Sequence, residues 1–208
     1  MTTMAALSSK LPRLKISALV AALEKPYMIL QEQVNSTSKN DPFSKSGIMN
    51  FYDQTDDDWL NHQKIIQQER AWTMSMGYLH QNLMGDGFDG WETYDNGHET
   101  GCDTGSKDGK VVTEVKNNVN TMNSSQKESI YNKLKRQVDL GKRAVLVIVN
   151  GDTKKKMLPG GIEHISGRDF YAELSGSPAF YDNLVECIGM IFREFKTYDQ
   201  LKAALGTT

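Results

Sequence analysis

The chain has 208 residues, of which 38% are hydrophobic and 24% charged; this suits one ordinary domain with a real core and excludes disordered and membrane-spanning classes. A formal net charge of −2 speaks against an evenly basic polyanion binder, and two cysteines, Cys102 and Cys187, are too few for a disulfide framework. No apolar run approaches the ~18 residues of a membrane span, and without an export signal the expected compartment is a reducing cytoplasm.

Residues 1 to 85 read as mostly helical. Leu14, Ile16, Leu19, Val20 and Leu23, followed by Met28 and Leu30, keep helical spacing, and Pro26 is expected to kink or divide the segment. Ser36 to Ser46 is polar and reads as a loop. A second helix is predicted from about Asp57 to Met84, opened by the acidic cluster Asp56-Asp57-Asp58 and stopped by Gly85. The texture then changes, with glycines punctuating a strand-rich stretch. Lys110 to Lys116 alternates and is rich in valine, which predicts a strand. Asn123 to Leu140 reads as a helix, with Ser125 and Glu128 spaced as a capping box. Arg143 to Val149 is almost continuously apolar and has the length of a buried central strand. Gly160 and Gly161 mark a further loop, and Ser177 to Leu205 looks helical. This order predicts an α/β fold with a central mixed β-sheet flanked by helices and a helical N-terminal region. The expected organisation is a single domain: 1–85 helical, 86–150 core, 151–208 a C-terminal, partly helical part.

Charge is unevenly placed. Asn40 to Asp103 holds 12 acidic and 3 basic residues, whereas Lys127 to Lys156 holds 9 basic and 3 acidic. Such asymmetry hints at a polyanion partner, although charge alone favours two solvated surfaces. Gly85-Asp-Gly-Phe-Asp-Gly90 has the G-x-G-x-x-G text but follows a helix, and Asp86 and Asp89 would repel a pyrophosphate, so no nucleotide cofactor is expected. His98 and Cys102 lack a second pair at metal-ligand spacing.

The informative segment runs from Glu99-Thr-Gly-Cys-Asp103 to Val111-Val-Thr-Glu114-Val-Lys116. Alternation along a strand puts Glu114 and Lys116 on one face and Val115 on the other. Asp108-Gly109 is a hairpin-turn signal. A two-residue loop sets Asp103 opposite Glu114; a four-residue loop over 106 to 109 sets it diagonal, on the same face. A three-residue loop would turn it away. In either even register two carboxylates and a lysine converge, enough to hold Mg²⁺ beside a phosphate and a water. An exposed hairpin with ordinary charges would carry the same E-x-K text.

Asp103, followed eleven positions later by Glu114-Val-Lys116, resembles the PD-(D/E)XK nuclease motif. The longer text, through Asn117, Asn120 and Asn123-Ser-Ser, with Gly-Arg-Asp-Phe-Tyr at 167 to 171, resembles type II restriction endonucleases that cut G-G-N-C-C sites. The similarity runs from about Gln67 to Gly176, and Cys102 stands where the motif nominally has proline. The resemblance implies a Mg²⁺-dependent endonuclease of a restriction-modification system, with Mn²⁺ as substitute. Its partners would be double-stranded DNA and a second copy of the chain as homodimer, with no membrane. It implies Asp103 and Glu114 as metal ligands, the Val115 carbonyl as a third, and Lys116 as the catalytic lysine. Glu69 would be a further carboxylate near the metal, or else a solvent-facing helix residue. Asn117, Asn120 and Asn123 would touch the DNA backbone or form the turn into the next helix. Lys154, Lys155 and Lys156 would meet phosphates, together with Lys127, Lys133, Lys135 and Arg136. Arg168 would read a guanine or sit in an ion pair, which makes 151–208 the expected recognition part. A repair or junction-resolving nuclease, or an inactive DNA-binding protein, remain alternatives.

Overall fold

The computed structural model describes residues 3–31, 42–118, 122–151 and 154–205. The N-terminal part is helical as expected: α1 (Thr3–Lys10), α2 (Ile16–Gln31), α3 (Pro42–Phe51) and α4 (Asp56–Asp86). Pro26 is buried inside α2 without dividing it. The helix α3 occupies part of the stretch expected as loop; residues 36 to 41 of that stretch lie outside the described residues. Thr55 caps α4 in a reciprocal box with Asp58, and the three aspartates fill its first turn, where the helix dipole favours them. The helix has 31 residues, about 46 Å at 1.5 Å per residue. Gly85 does not stop it. The helix runs to Asp86 and ends on Gly87, because Gly85 is needed for close packing: a Cβ there would lie 2.5 Å from the Thr93 amide nitrogen.

Six strands follow: β1 (Trp91–Thr93), β2 (Thr104–Ser106), β3 (Val111–Asn118), β4 (Arg143–Asn150), β5 (Lys156–Leu158) and β6 (Ile162–Ser166). Their order in the sheet is β1-β2-β3-β4-β6-β5. β1, β2 and β3 form an antiparallel meander, β3, β4 and β6 are parallel, and β5 returns antiparallel to β6. The sheet is therefore mixed, with β4 buried on both faces as its apolar run predicts. Val145, Val147 and Val149 belong to a large core with Leu79 and Leu83 of α4 and with Phe170, Tyr171 and Phe180. Ala144 and Leu146 face a smaller core with Val112.

That smaller core is roofed by α5 (Ser124–Asp139) through Ile130 and Leu134. Its cap is Asn123 with Gln126, not Ser125 with Glu128: Asn123 Oδ1 accepts from the Gln126 amide at 2.9 Å and Gln126 Oε1 from the Asn123 amide at 3.0 Å. The segment after β6 forms three helices, α6 (Gly167–Ser175), α7 (Phe180–Glu194) and α8 (Tyr198–Leu205). The short strands β1, β5 and β6 carry too little periodicity to announce themselves, whereas α6 buries Phe170, Tyr171 and Leu174 on one face and is too short, at nine residues, to stand out from the loop before it. No helix among the described residues is long and apolar enough to cross a membrane.

Two outcomes follow from this packing. Gly85→Ala should destabilise the protein by about 1–3 kcal/mol through overpacking against β1. Gly77→Ala, in the same helix with nothing within 4 Å of the added Cβ, should stabilise it by up to about 1 kcal/mol. Denaturant titration of both variants reads these opposite signs.

His80 supplies the second. It is buried, with Nδ1 2.9 Å from the Tyr171 hydroxyl, and burial pulls its pKa from 6.5 down to about 4. The unfolded chain therefore takes the proton first. The stability tied to the neutral ring is complete above pH 6.5 and drains away as pH falls towards 4, by about 3 kcal/mol. Urea midpoints across that range should show the decline, and His80→Gln should flatten it.

Candidate active site

The site is built from the loop that enters β2, the strand β3 and the inner face of α5. At the hairpin, the Ser106 carbonyl accepts from the Gly109 amide at 2.8 Å, and Gly109 takes a φ of +71°, which a side chain would oppose. Thr104 then pairs with Thr113 and Gly105 with Val112. This even register is the one a two-residue loop would give, although residues 107 to 110 separate the strands, and the pairing itself ends at Thr104, with Asp103 just beyond it. Asp103 is fixed on all sides. Its amide donates to the Thr113 carbonyl at 2.9 Å, its carbonyl accepts from the Tyr94 amide at 3.0 Å, and Oδ2 accepts from the Val115 amide at 2.8 Å.

The Glu114 side chain is only 3% exposed. Its Oε1 lies 2.7 Å from Lys116 Nζ, which is in turn 3.6 Å from Asp103 Oδ2. Thus the structure brings Asp103, Glu114 and Lys116 together, and Val115 between them sends its side chain into the large core. A fourth group completes the cluster: Lys133 of α5 forms an ion pair with Glu114 Oε2 and donates to the Gly101 carbonyl at 2.7 Å. Two carboxylates meet two ammonium groups. Burial of Lys116 lowers its pKa, but Asp103 and Glu114 together outweigh that effect and the net shift is upward. The lysine is therefore protonated at neutral pH.

The cluster borders a cleft of about 560 Å³ between α4 and α5 at the end of β3. Glu114 to Asn117 form its floor, with Tyr78 and Gln81 on one wall and Gln126 and Ser129 on the other. Among the described residues no group of three His, Cys, Asp or Glu side chains is placed to hold a metal ion. A cation would thus be held by two carboxylates with main-chain oxygen and water, a ligand set typical of Mg²⁺. The residues present fit it: both carboxylates already face a common cation, the Lys116 ammonium.

The remaining candidates are dispersed. Glu69 is exposed and lines a separate hollow with Leu30, Ile65 and Trp72. Asn117 lines the cleft; its Oδ1 accepts from Asn150 Nδ2 at 2.6 Å, and Asn150 Oδ1 accepts from the Tyr181 hydroxyl at 2.8 Å. Asn123 is the cap of α5, and Asn120 lies outside the described residues. Lys154 and Lys156 are exposed. Lys155 is engaged with Glu163 at 2.6 Å and Glu173 at 2.9 Å. Arg168 pairs through both terminal nitrogens with Asp182, at 2.5 and 2.7 Å, and its guanidinium lies 5.1 Å from the centre of the Tyr181 ring. His98 stacks on Tyr94, and burial pushes the Cys102 thiol up to about 11.

Sequence reading passed over Gln81 as a lining residue and Lys133 as a partner of Glu114. Lys133 did carry a signal. It falls three residues after Ile130 and one before Leu134, on the margin of the buried stripe of α5.

A family model described as Eco47II restriction endonuclease matches residues 14–195, a span that holds every residue of this cluster. No curated protein and no solved structure matches the chain.

Proposed function

The chain belongs to the Eco47II restriction endonuclease family, and from that premise we propose that it is a type II enzyme hydrolysing double-stranded DNA at a short palindromic, GGNCC-like site with Mg²⁺, or Mn²⁺ in its place. The observation that carries this reading is the meeting of Asp103, Glu114 and Lys116, of which Glu114 and Lys116 line one cleft. Asp103 and Glu114 would hold the metal, with the Val115 carbonyl as third ligand. When bound, the cation acidifies a water and offsets charge on the scissile phosphate. Lys116, already protonated, acts through its charge and its hydrogen bonds: displaced from between the carboxylates, its ammonium orients the water and neutralises the phosphate oxygens.

The C-terminal part would carry recognition. Lys154 and Lys156 supply exposed positive charge for phosphates, and Lys155 does so after leaving Glu163 and Glu173. The fork of Arg168 is already used in the two-point fashion that guanine O6 and N7 would require. Reading a base therefore means exchanging Asp182 for the base edge. Among the described residues one chain has one such cluster, whereas a palindromic cut needs two, so a two-fold homodimer is part of the proposal. Phe43, Phe51 and Ile65, exposed on α3 and α4, supply apolar surface for it in the helical first third.

Plasmid DNA with Mg²⁺ should give discrete bands. Asp103→Ala, Glu114→Ala and Lys116→Ala should each slow cleavage by roughly a hundredfold or more while the fold persists and at least one still binds DNA. Near-normal cleavage by Glu114→Ala would remove the assignment, and preference for branched DNA would replace restriction with repair or junction resolution.

Light scattering at micromolar concentration should report a dimer, alone or on a duplex carrying the site. A strict monomer in both conditions contradicts the two-fold arrangement.

A further inference from the structure

Lys133 stands apart from the other basic residues of α5. A lysine on a solvated helix face behaves like Lys135 two positions later, which is 44% exposed and pairs with Asp139 within the helix. Lys133 is 24% exposed and bends inward instead. It reaches two groups at once, the Glu114 carboxylate and the Gly101 carbonyl, two residues before Asp103. A nearly sealed carboxylate needs compensation on both oxygens. Lys116 serves only Oε1 and is shared with Asp103. Oε2 is buried and meets no aligned hydrogen-bond donor among the described residues, so the nearby Lys133 charge is its compensation.

We propose that Lys133 is a positioning residue for Glu114: a resident counter-ion that holds the Oε2 side, turns Oε1 towards Lys116 and Asp103, and limits how tightly the site takes a divalent cation. The inference rests on the reading of Asp103 and Glu114 as metal ligands. Its physical basis is the count of charge. Asp103, Glu114, Lys116 and Lys133 sum to zero, and an entering divalent cation raises the cluster to +2. With Lys133 neutral the same entry runs from −1 to +1, which Coulomb's law favours. The tether to Gly101 also joins α5 to the loop that presents Asp103, so one side chain sets both carboxylates relative to each other.

Lys133→Gln removes the charge and keeps a hydrogen-bond donor for Gly101; Lys133→Met is the second variant should the first misfold by circular dichroism. The probe is Ca²⁺ alone, titrated by calorimetry into the metal-stripped full chain, beside single-turnover cleavage at saturating Mg²⁺. The expected result is a split: Ca²⁺ binds roughly tenfold or more tightly, while cleavage slows by roughly tenfold or more because Glu114 is no longer oriented. In a Glu114→Gln background, the effect of Lys133→Gln on cleavage should vanish, because no Glu114 carboxylate is left to position, while its effect on Ca²⁺ should shrink to what the change in cluster charge alone supplies. Unchanged or weaker Ca²⁺ binding by folded Lys133→Gln overturns the role of Lys133 and leaves the site reading in place. Wild-type Ca²⁺ affinity in Glu114→Gln instead removes the metal-site reading, and this inference with it.

Discussion

The pairing of Thr104 with Thr113 and Gly105 with Val112 is the contact on which the meeting of Asp103, Glu114 and Lys116 depends, because a strand repeats every two residues and one step of slippage would turn every side chain to the other face. Several weak forces hold it. The turn closes through Ser106 and Gly109, and the Ser106 hydroxyl accepts from the Val111 amide at 2.9 Å. The buried hydroxyls of Thr104 and Thr113 meet at 2.6 Å on the face shared with Val111 and Val115. That face is committed to the large core, so the other face of β3, bearing Glu114 and Lys116, must turn towards α5. Register and burial thus fix the site together.

The second constraint is electrostatic. Charges as deeply placed as Glu114 lose solvation that mutual attraction restores only with good geometry and full pairing. The cluster meets this with equal numbers of carboxylates and ammonium groups, drawn from the β2 entry loop, β3 and α5. On the proposed reading the same balance would make Lys116 replaceable: a divalent cation would satisfy the carboxylates as its ammonium does and would leave that lysine available to an anionic substrate. A phosphodiester backbone would then bring the negative charge that such a site would lack with a metal bound. The cleft lies beside Glu114 to Asn117 of β3, between Tyr78 and Gln81 on one wall and Gln126 and Ser129 on the other.

Away from the cluster, basic residues have been drawn into structural pairs. Arg143 bridges Glu163 at 2.7 Å and Glu173 at 2.8 Å, and Lys155 joins the same two carboxylates. Glu163 is held down to about 2 by its bond to Arg143. The network ties β4, β6 and α6 together and accounts for part of the basic excess between Lys127 and Lys156. Charge asymmetry in a sequence therefore does not translate directly into a free basic surface, because some of its members are consumed in pairs that join the sheet to α6.

What the amino-acid sequence determined by itself was local: the long second helix, the hairpin signal, the helix after it, the buried strand read at Arg143 to Val149, and the shared face of Glu114 and Lys116, with Asp103 joining them only in an even register. Periods of 3.6 and 2 and a turn signal at Asp108-Gly109 are properties of neighbouring residues and survive without a fold. The tertiary structure alone decided the rest. Gly85 reads as a stop in the chain yet lies inside a helix, because what it adjoins is Thr93 of another element. Lys133 reads as one more surface lysine yet closes on Glu114, nineteen residues earlier, because α5 crosses the open face of β3. Arg168 finds Asp182, rather than a neighbour in the chain, because α6 and α7 pack together. In each case the deciding partner is brought close by packing between distant segments, and the pairing energies, a few kcal/mol at most, select among arrangements that no local pattern distinguishes.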